Sequence, residues 1–174
     1  NEHQSDYCFT GSYWNVKREI ENFDPSSLPF DFALYGQGWE KHKQFSKYYR
    51  GFLKYAELPA VYAGTKLLVD DANHVTRPWA SVNSRVFDGI AAGAMVISNG
   101  ESGAKELFGD KLPTYDSVEQ LQSLIETYLQ NSELRATHSE QLRAEVLKNH
   151  TYRKRAYEFR EILTNHVHMF CQIA

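Results

Sequence analysis

Apolar residues along the chain follow two spacings. Short unbroken apolar runs recur at Tyr7-Cys8-Phe9, Phe32-Ala33-Leu34, Leu67-Leu68-Val69 and Ala94 to Ile97. Runs of this length predict strands buried on both faces, over residues 6–11, 30–36, 66–70 and 94–97. Shorter stretches at 48–53 and 111–115 predict further strand, the latter at an edge. Between them the apolar positions fall at helical intervals. Helices are predicted over 14–23, over 58–64 with Pro59 in the first turn, from Asn83 to a break at Gly93, and over 104–108. From Ser117 onward the pattern is helical only. Ser117 with Glu119 and Gln120 starts a helix striped by Val118, Leu121, Leu124, Ile125 and Tyr128. Ser132 and Thr151 start two more.

Strand and helix alternating in this way predict an α/β fold, a parallel sheet with helices on both faces. Ligands in such sheets bind beyond the C-terminal ends of the strands. The segments there, Gly11 to Trp14, Gly36 to Trp39, Asp70 to Ser81 and Asn99 to Gly103, are rich in glycine, hydroxyls and aromatics. The helix ending at Gly93 turns Val86, Phe87, Ile90 and Ala91 to the core and leaves Ser84, Arg85 and Asp88 for a crevice. Gly93 suits the left-handed residue that ends many helices.

Composition narrows the reading. With 42% hydrophobic residues in 174, one domain with a sizeable core is expected. A formal net charge of -3, without a basic block, argues against nucleic acid. No apolar run approaches the roughly 20 residues of a membrane span, and no signal-peptide pattern opens the chain. Cys8 sits in an apolar run as a buried thiol, and with Cys171 it makes no disulfide framework, which points to the cytoplasm. Gly36-Gln37-Gly38 lacks the third glycine of a dinucleotide fingerprint. His166, His168 and Cys171 lack zinc spacing, so a terminal helix surface is expected and no metal or other cofactor. No P-loop or nucleophilic triad is present, and the acceptor-like Asn149-His150-Thr151 is discounted without a secretory signal.

The run Val82-Asn83-Ser84-Arg85-Val86-Phe87-Asp88-Gly89-Ile90-Ala91-Ala92-Gly93-Ala94 resembles the C-terminal half of a GT-B glycosyltransferase of the group 1 family, in its spore-maturation-protein-like branch. Glu106-Leu107-Phe108, Tyr115-Asp116-Ser117, Arg135, and His150-Thr151-Tyr152 followed by Arg155 match in the same order. The likeness runs over residues 6–164. It implies a Rossmann-like domain that binds a nucleotide-sugar donor, and a separate N-terminal domain, absent here, that holds most of the acceptor site.

The resemblance also implies roles. Asp88 matches the acid that takes the ribose hydroxyls; a carboxylate accepts from two vicinal hydroxyls, although a solvated helical carboxylate reads the same. The family's other acid, a glutamate eight residues earlier facing the sugar, is Ala80 here. The amides of Ser81, Val82, Asn83 and Ser84 would hold a diphosphate at the helix N-terminus, with Ser81 as N-cap. Arg85 either lies along the phosphates or pairs with Asp88 or Asp70. Arg18 is the expected catalytic cation on the leaving diphosphate, with Lys17 beside it; a solvated basic face is the alternative. Gly11 and Ser12 would let the first loop approach the donor, with Tyr13 and Trp14 lining the cleft or packing. Phe52 and Leu53 match the base-contacting segment, and His74 and Arg77 would face the sugar. The expected activity is transfer of a sugar from a nucleotide-sugar to an acceptor hydroxyl. A sugar-nucleotide epimerase and a non-catalytic module on the same fold are the alternatives.

Overall fold

A computed structural model describes residues 3–14, 17–72 and 74–171, with side chains through residue 165. Four parallel strands form one sheet: β1 (Ser5–Thr10), β2 (Phe32–Tyr35), β3 (Thr65–Asp70) and β4 (Met95–Ser98), in the order β2-β1-β3-β4. Among the described residues six α-helices accompany them: α1 (Leu58–Gly64), α2 (Ser84–Ala92), α3 (Glu101–Phe108), α4 (Val118–Gln130), α5 (Ser132–Asn149) and α6 (Tyr152–Cys171). Successive strand residues point to opposite faces. Tyr7, Cys8 and Phe9, Leu67, Leu68 and Val69, and Met95, Val96 and Ile97 are all buried, so both faces of the sheet are covered. This is the expected α/β, Rossmann-like architecture, and Cys8 is the expected buried thiol, with burial pushing its pKa up to about 12.

The helix that organises the site is held tightly to the sheet. A Cβ at Gly89 of α2 would lie 2.4 Å from Leu68 Cδ2, so glycine permits the close approach. Gly93 ends α2 in the left-handed region at φ 97°, its amide donating to the carbonyls of Gly89 and Ile90. Ser117 caps α4 by accepting from the Gln120 amide.

Several expectations are corrected. Among the described residues of segment 14–23, only Glu19–Asn22 is helical, as a short 3-10 turn and not the expected α-helix, and Arg18 before it is extended at φ -109° and ψ 152°. The Ile20 amide donates to Asp71, a long-range bond that holds this segment against β3 instead of its own turn. Stretches 48–53 and 111–115 form single parallel bridges, Leu34 with Tyr49 and Ser98 with Thr114, not strands. Helix α2 begins at Ser84 with Asn83 as N-cap, not Ser81, and Asn83 turns its side chain to Asp70. Asn131, not Ser132, caps α5. The reading of His166, His168 and Cys171 concerns side chains outside the described residues.

Candidate functional site

The chain runs from β1 out to β2 at one edge, then crosses back to β3 on the other side of β1. The loops leaving β1 and β3 therefore diverge, which opens a crevice at the C-terminal ends of these strands. Two cavities lie there.

The first, about 250 Å³, is lined by Thr10, Gly11 and Ser12 after β1, by Tyr35 and Gly36 after β2, by Phe52, Leu53, Tyr55, Leu58 and Tyr62, and by Ser84, Arg85 and Asp88 of α2. Two glycines make it possible. Gly36 has φ 136°, and a Cβ there would sit 2.3 Å from the Gly11 carbonyl oxygen. The loops after β1 and β2 thus meet backbone to backbone. Asp88 is half-buried on α2. Burial raises its pKa above the ordinary aspartate value, and the Tyr55 hydroxyl, donating at 3.4 Å, opposes that shift.

The second cavity, about 190 Å³, is lined by Trp14, Lys17, Arg18, Glu19, Asp71, Ala72, His74, Arg77 and Pro78. Arg18 joins the two: its guanidinium donates to the Ser12 carbonyl at 3.1 Å and to the Asp71 carbonyl at 3.5 Å. Burial lowers its pKa from the ordinary arginine value, and Asp71 opposes this. The partners of the guanidinium are thus neutral carbonyls. The Asp71 carboxylate is occupied elsewhere, accepting from the Ile20 amide at 3.2 Å and from Asn99 Nδ2 at 2.9 Å.

Arg85 differs. Its guanidinium is paired at 2.7 Å with Asp70, a carboxylate only 1% exposed. Asp70 also accepts from Asn83 Nδ2 at 3.0 Å and from Ser98 Oγ at 2.7 Å, and its carbonyl takes the Tyr115 hydroxyl at 2.9 Å. Asp70 is thus the knot that ties the start of α2 to β3 and β4. Both guanidiniums lie near the Phe9 ring, Arg85 at 4.9 Å and Arg18 at 5.5 Å from its centroid.

Of the sequence-predicted residues, Gly11, Ser12, Phe52, Leu53, Ser84, Arg85 and Asp88 come together around the first cavity. Lys17, Arg18, His74 and Arg77 come together around the second. Ser81 and Asn83 line neither. Val82 lines a third groove of about 420 Å³ between α2 and the α5–α6 junction, which Asp88 also borders. Because α2 starts at Ser84, Ser81, Val82 and Asn83 lie ahead of its first turn, and Ser84 and Arg85 supply its leading amides. Ala80 adopts a left-handed conformation at φ 53°, with its carbonyl against Gly103.

Of the two alternatives for Arg85, pairing with Asp70 is the one observed; Asp71 and Asn99 were missed as supports of the site. The signal was present: two consecutive acids follow the apolar run Leu67-Leu68-Val69, at the end of β3 where ligands bind. Among the described residues no group of three or more His, Cys, Asp or Glu is placed to hold a metal ion, and no helix is long and apolar enough to cross a membrane.

A family model described as glycosyl transferase-like matches residues 17–161. The comparison with curated proteins finds no match. Among solved structures, a mutant of T4 phage BGT in complex with UDP-glucose aligns with TM-score 0.66 and 13% identity, over 85% of this chain and 44% of its own. A mutant of S. aureus TarM in complex with fondaparinux, alpha-GlcNAc-glycerol and UDP aligns with TM-score 0.64 and 12% identity, over 90% and 35%. WaaG, a glycosyltransferase involved in lipopolysaccharide biosynthesis, aligns with TM-score 0.56 and 21% identity, over 83% and 43%. The chain spans less than half the length of each, and likenesses at these identities show the fold.

Proposed function

The chain belongs to the glycosyl transferase-like family, and from that premise we propose that its paired cavities form the nucleotide-sugar site of a GT-B glycosyltransferase. The finer placement in the spore-maturation-protein-like branch rests on the residue pattern around Asp88. In this reading the nucleoside lies in the first cavity, with its ribose hydroxyls on Asp88 and its base beside Phe52 and Leu53. The diphosphate lies at Ser84 and Arg18. The sugar enters the second cavity, toward His74 and Arg77. The acceptor is held by a further domain, in keeping with a chain that spans less than half of the aligned structures.

The observation that carries the reading is Arg18. It stands between the two cavities, and among the described residues its guanidinium donates to neutral carbonyls and not to a carboxylate, with the Asp71 carboxylate acting on it only through its field. When an acceptor hydroxyl attacks the anomeric carbon, the bond from that carbon to the diphosphate oxygen breaks. Negative charge then grows on the departing nucleoside diphosphate. A cation already fixed at that point stabilises the charge without reorganising. Arg85, neutralised by Asp70, serves as a hydrogen-bond donor and not as the principal countercharge.

The test is a calorimetric binding panel of UDP, ADP and GDP on the chain. One of them is expected to bind, and Asp88→Asn is expected to lose about ten- to a hundredfold in affinity, the worth of hydrogen bonds to a charged group. Absence of binding by all three, or parent-like affinity in Asp88→Asn, refutes it.

A further inference from the structure

We propose that Trp14 is the stacking platform for the transferred sugar and replaces, in this chain, the sugar contact that a glutamate at position 80 would make. The inference rests on the donor-site reading above and adds a specificity-determining residue to it.

Three observations converge. First, the sugar contact implied at position 80 is absent in both chemistry and place. Ala80 has no polar side-chain atom, its backbone turns left-handed, and its carbonyl is packed against Gly103. It borders neither cavity. Recognition of the sugar must therefore come from whatever lines the second cavity.

Second, the acids there are wholly or partly engaged. Asp71 accepts from Ile20 and Asn99, and Glu19 pairs with Arg77 at 3.5 Å. What the acids leave for sugar hydroxyls is the half-exposed Glu19 carboxylate, whose pairing with Arg77 uses one oxygen, so a further sugar contact has to come from another lining residue.

Third, Trp14 lines the cavity with 72% of its surface exposed and has no ring contact among the described residues. Trp39, by contrast, is wholly buried, packed edge-on or tilted among Phe9, Tyr13, His42 and Phe45. A large exposed apolar face beside Lys17, Arg18, His74 and Arg77 suits a ligand with an apolar face of its own and polar edges. A pyranose has that shape: C–H groups on one face, hydroxyls around the rim. Stacked on Trp14, it would offer its rim to His74 and Arg77 and its anomeric carbon toward Arg18, which joins this cavity to the nucleoside cavity.

The same geometry predicts how affinity divides. Trp14 lines the second cavity and not the first. It should act on the sugar and leave the nucleoside diphosphate untouched.

The experiment measures affinity for UDP, ADP and GDP and for their glucose, galactose and mannose conjugates, on the 174-residue chain and on Trp14→Ala and Trp14→Phe. For the base that binds, at least one conjugate is expected to bind more tightly than the diphosphate. Trp14→Ala is expected to remove about tenfold of that gain, the scale of an aromatic contact, while diphosphate affinity stays at the parent value. Trp14→Phe should restore part of it. In a Trp79→Phe background, which removes the other exposed tryptophan, the conjugate should shift tryptophan emission where the diphosphate does not. If the diphosphate binds but the sugar gain survives Trp14→Ala, or no conjugate shows a gain, this inference alone falls. If neither diphosphates nor conjugates bind, the donor-site reading falls and this inference with it.

Discussion

Replacing Asp70 by asparagine isolates one charge while nearly preserving shape. The carboxylate receives three side-chain bonds, from Arg85, Asn83 and Ser98. The amide oxygen of the introduced side chain can keep the first two, and its NH₂ can donate to the Ser98 hydroxyl. What disappears is the countercharge of Arg85, whose side chain is 15% exposed. Breaking a buried ion pair from one side costs about 3–5 kcal/mol, because the remaining charge is stranded. Arg85 keeps some water and lies over the Phe9 ring at 4.9 Å, so the low end applies, about 3 kcal/mol. For a chain of this size that is a fall in Tm of roughly 6–12 °C. Urea unfolding followed by far-UV circular dichroism gives the free energy directly. A double-mutant cycle gives the pairing itself: Arg85→Met in the Asp70→Asn background removes the stranded charge, so the double variant should be more stable than the sum of the single losses by at least about 1.5 kcal/mol. A loss below about 0.5 kcal/mol in Asp70→Asn, or strict additivity, refutes the account of Asp70 as the knot between α2 and the sheet.

Two further outcomes follow from the same geometry. Gly36→Ala places a Cβ 2.3 Å from the Gly11 carbonyl at φ 136°; it should cost at least about 2 kcal/mol and weaken diphosphate binding, because the loop after β1 must move, and parent-like unfolding and affinity would contradict this. For Asp88, burial raises the folded pKa, so its protonated form favours the fold at low pH and that contribution is lost as pH rises through the raised value. Binding has the opposite sign: the proposed ribose recognition needs the carboxylate, so affinity should fall as pH drops through the same value, beginning above the ordinary aspartate range near about pH 4. Calorimetric titrations of the parent and Asp88→Asn across about pH 4 to 7 separate this from the ligand's own ionisation. An acid-limb slope as steep in the variant as in the parent contradicts it.

What the sequence made legible was what depends on neighbours in the chain. The strands were readable because both faces of the sheet are covered, so each strand is an unbroken apolar run, and α1 and α4 were readable from Pro59 and the Ser117 cap. Segment 14–23 was misread because Ile20 and Phe23 are buried at a spacing that suits a helix, yet the bond that decides its course comes from Asp71. The start of α2 shifted for a similar reason: Asn83 is drawn to Asp70, and Ser81 caps nothing. Asp88, Gly11, Ser12, Phe52 and Leu53, grouped through the family resemblance, do line one cavity. The division of labour between Arg18 and Arg85 was not legible, since it depends on which carboxylate each guanidinium meets across the fold.

That division explains why a crevice holding two arginines is not simply a positive patch. An arginine given to a buried carboxylate fixes geometry: Arg85 locks the first turn of α2 to the end of β3, and so sets where Ser84 and Asp88 stand. An arginine held by carbonyls keeps its charge for a ligand, and Arg18 is held by the two loops that diverge from β1 and β3. The switch in strand order creates the gap, Asp70 and Arg85 make one wall rigid, and Arg18 carries the charge across it. Exchanging the roles would fail on both counts. A carboxylate bonded directly to the Arg18 guanidinium would cancel the field where, in the proposed reaction, an anionic leaving group forms, and an unpaired Arg85 would leave the wall that bears Asp88 without its anchor.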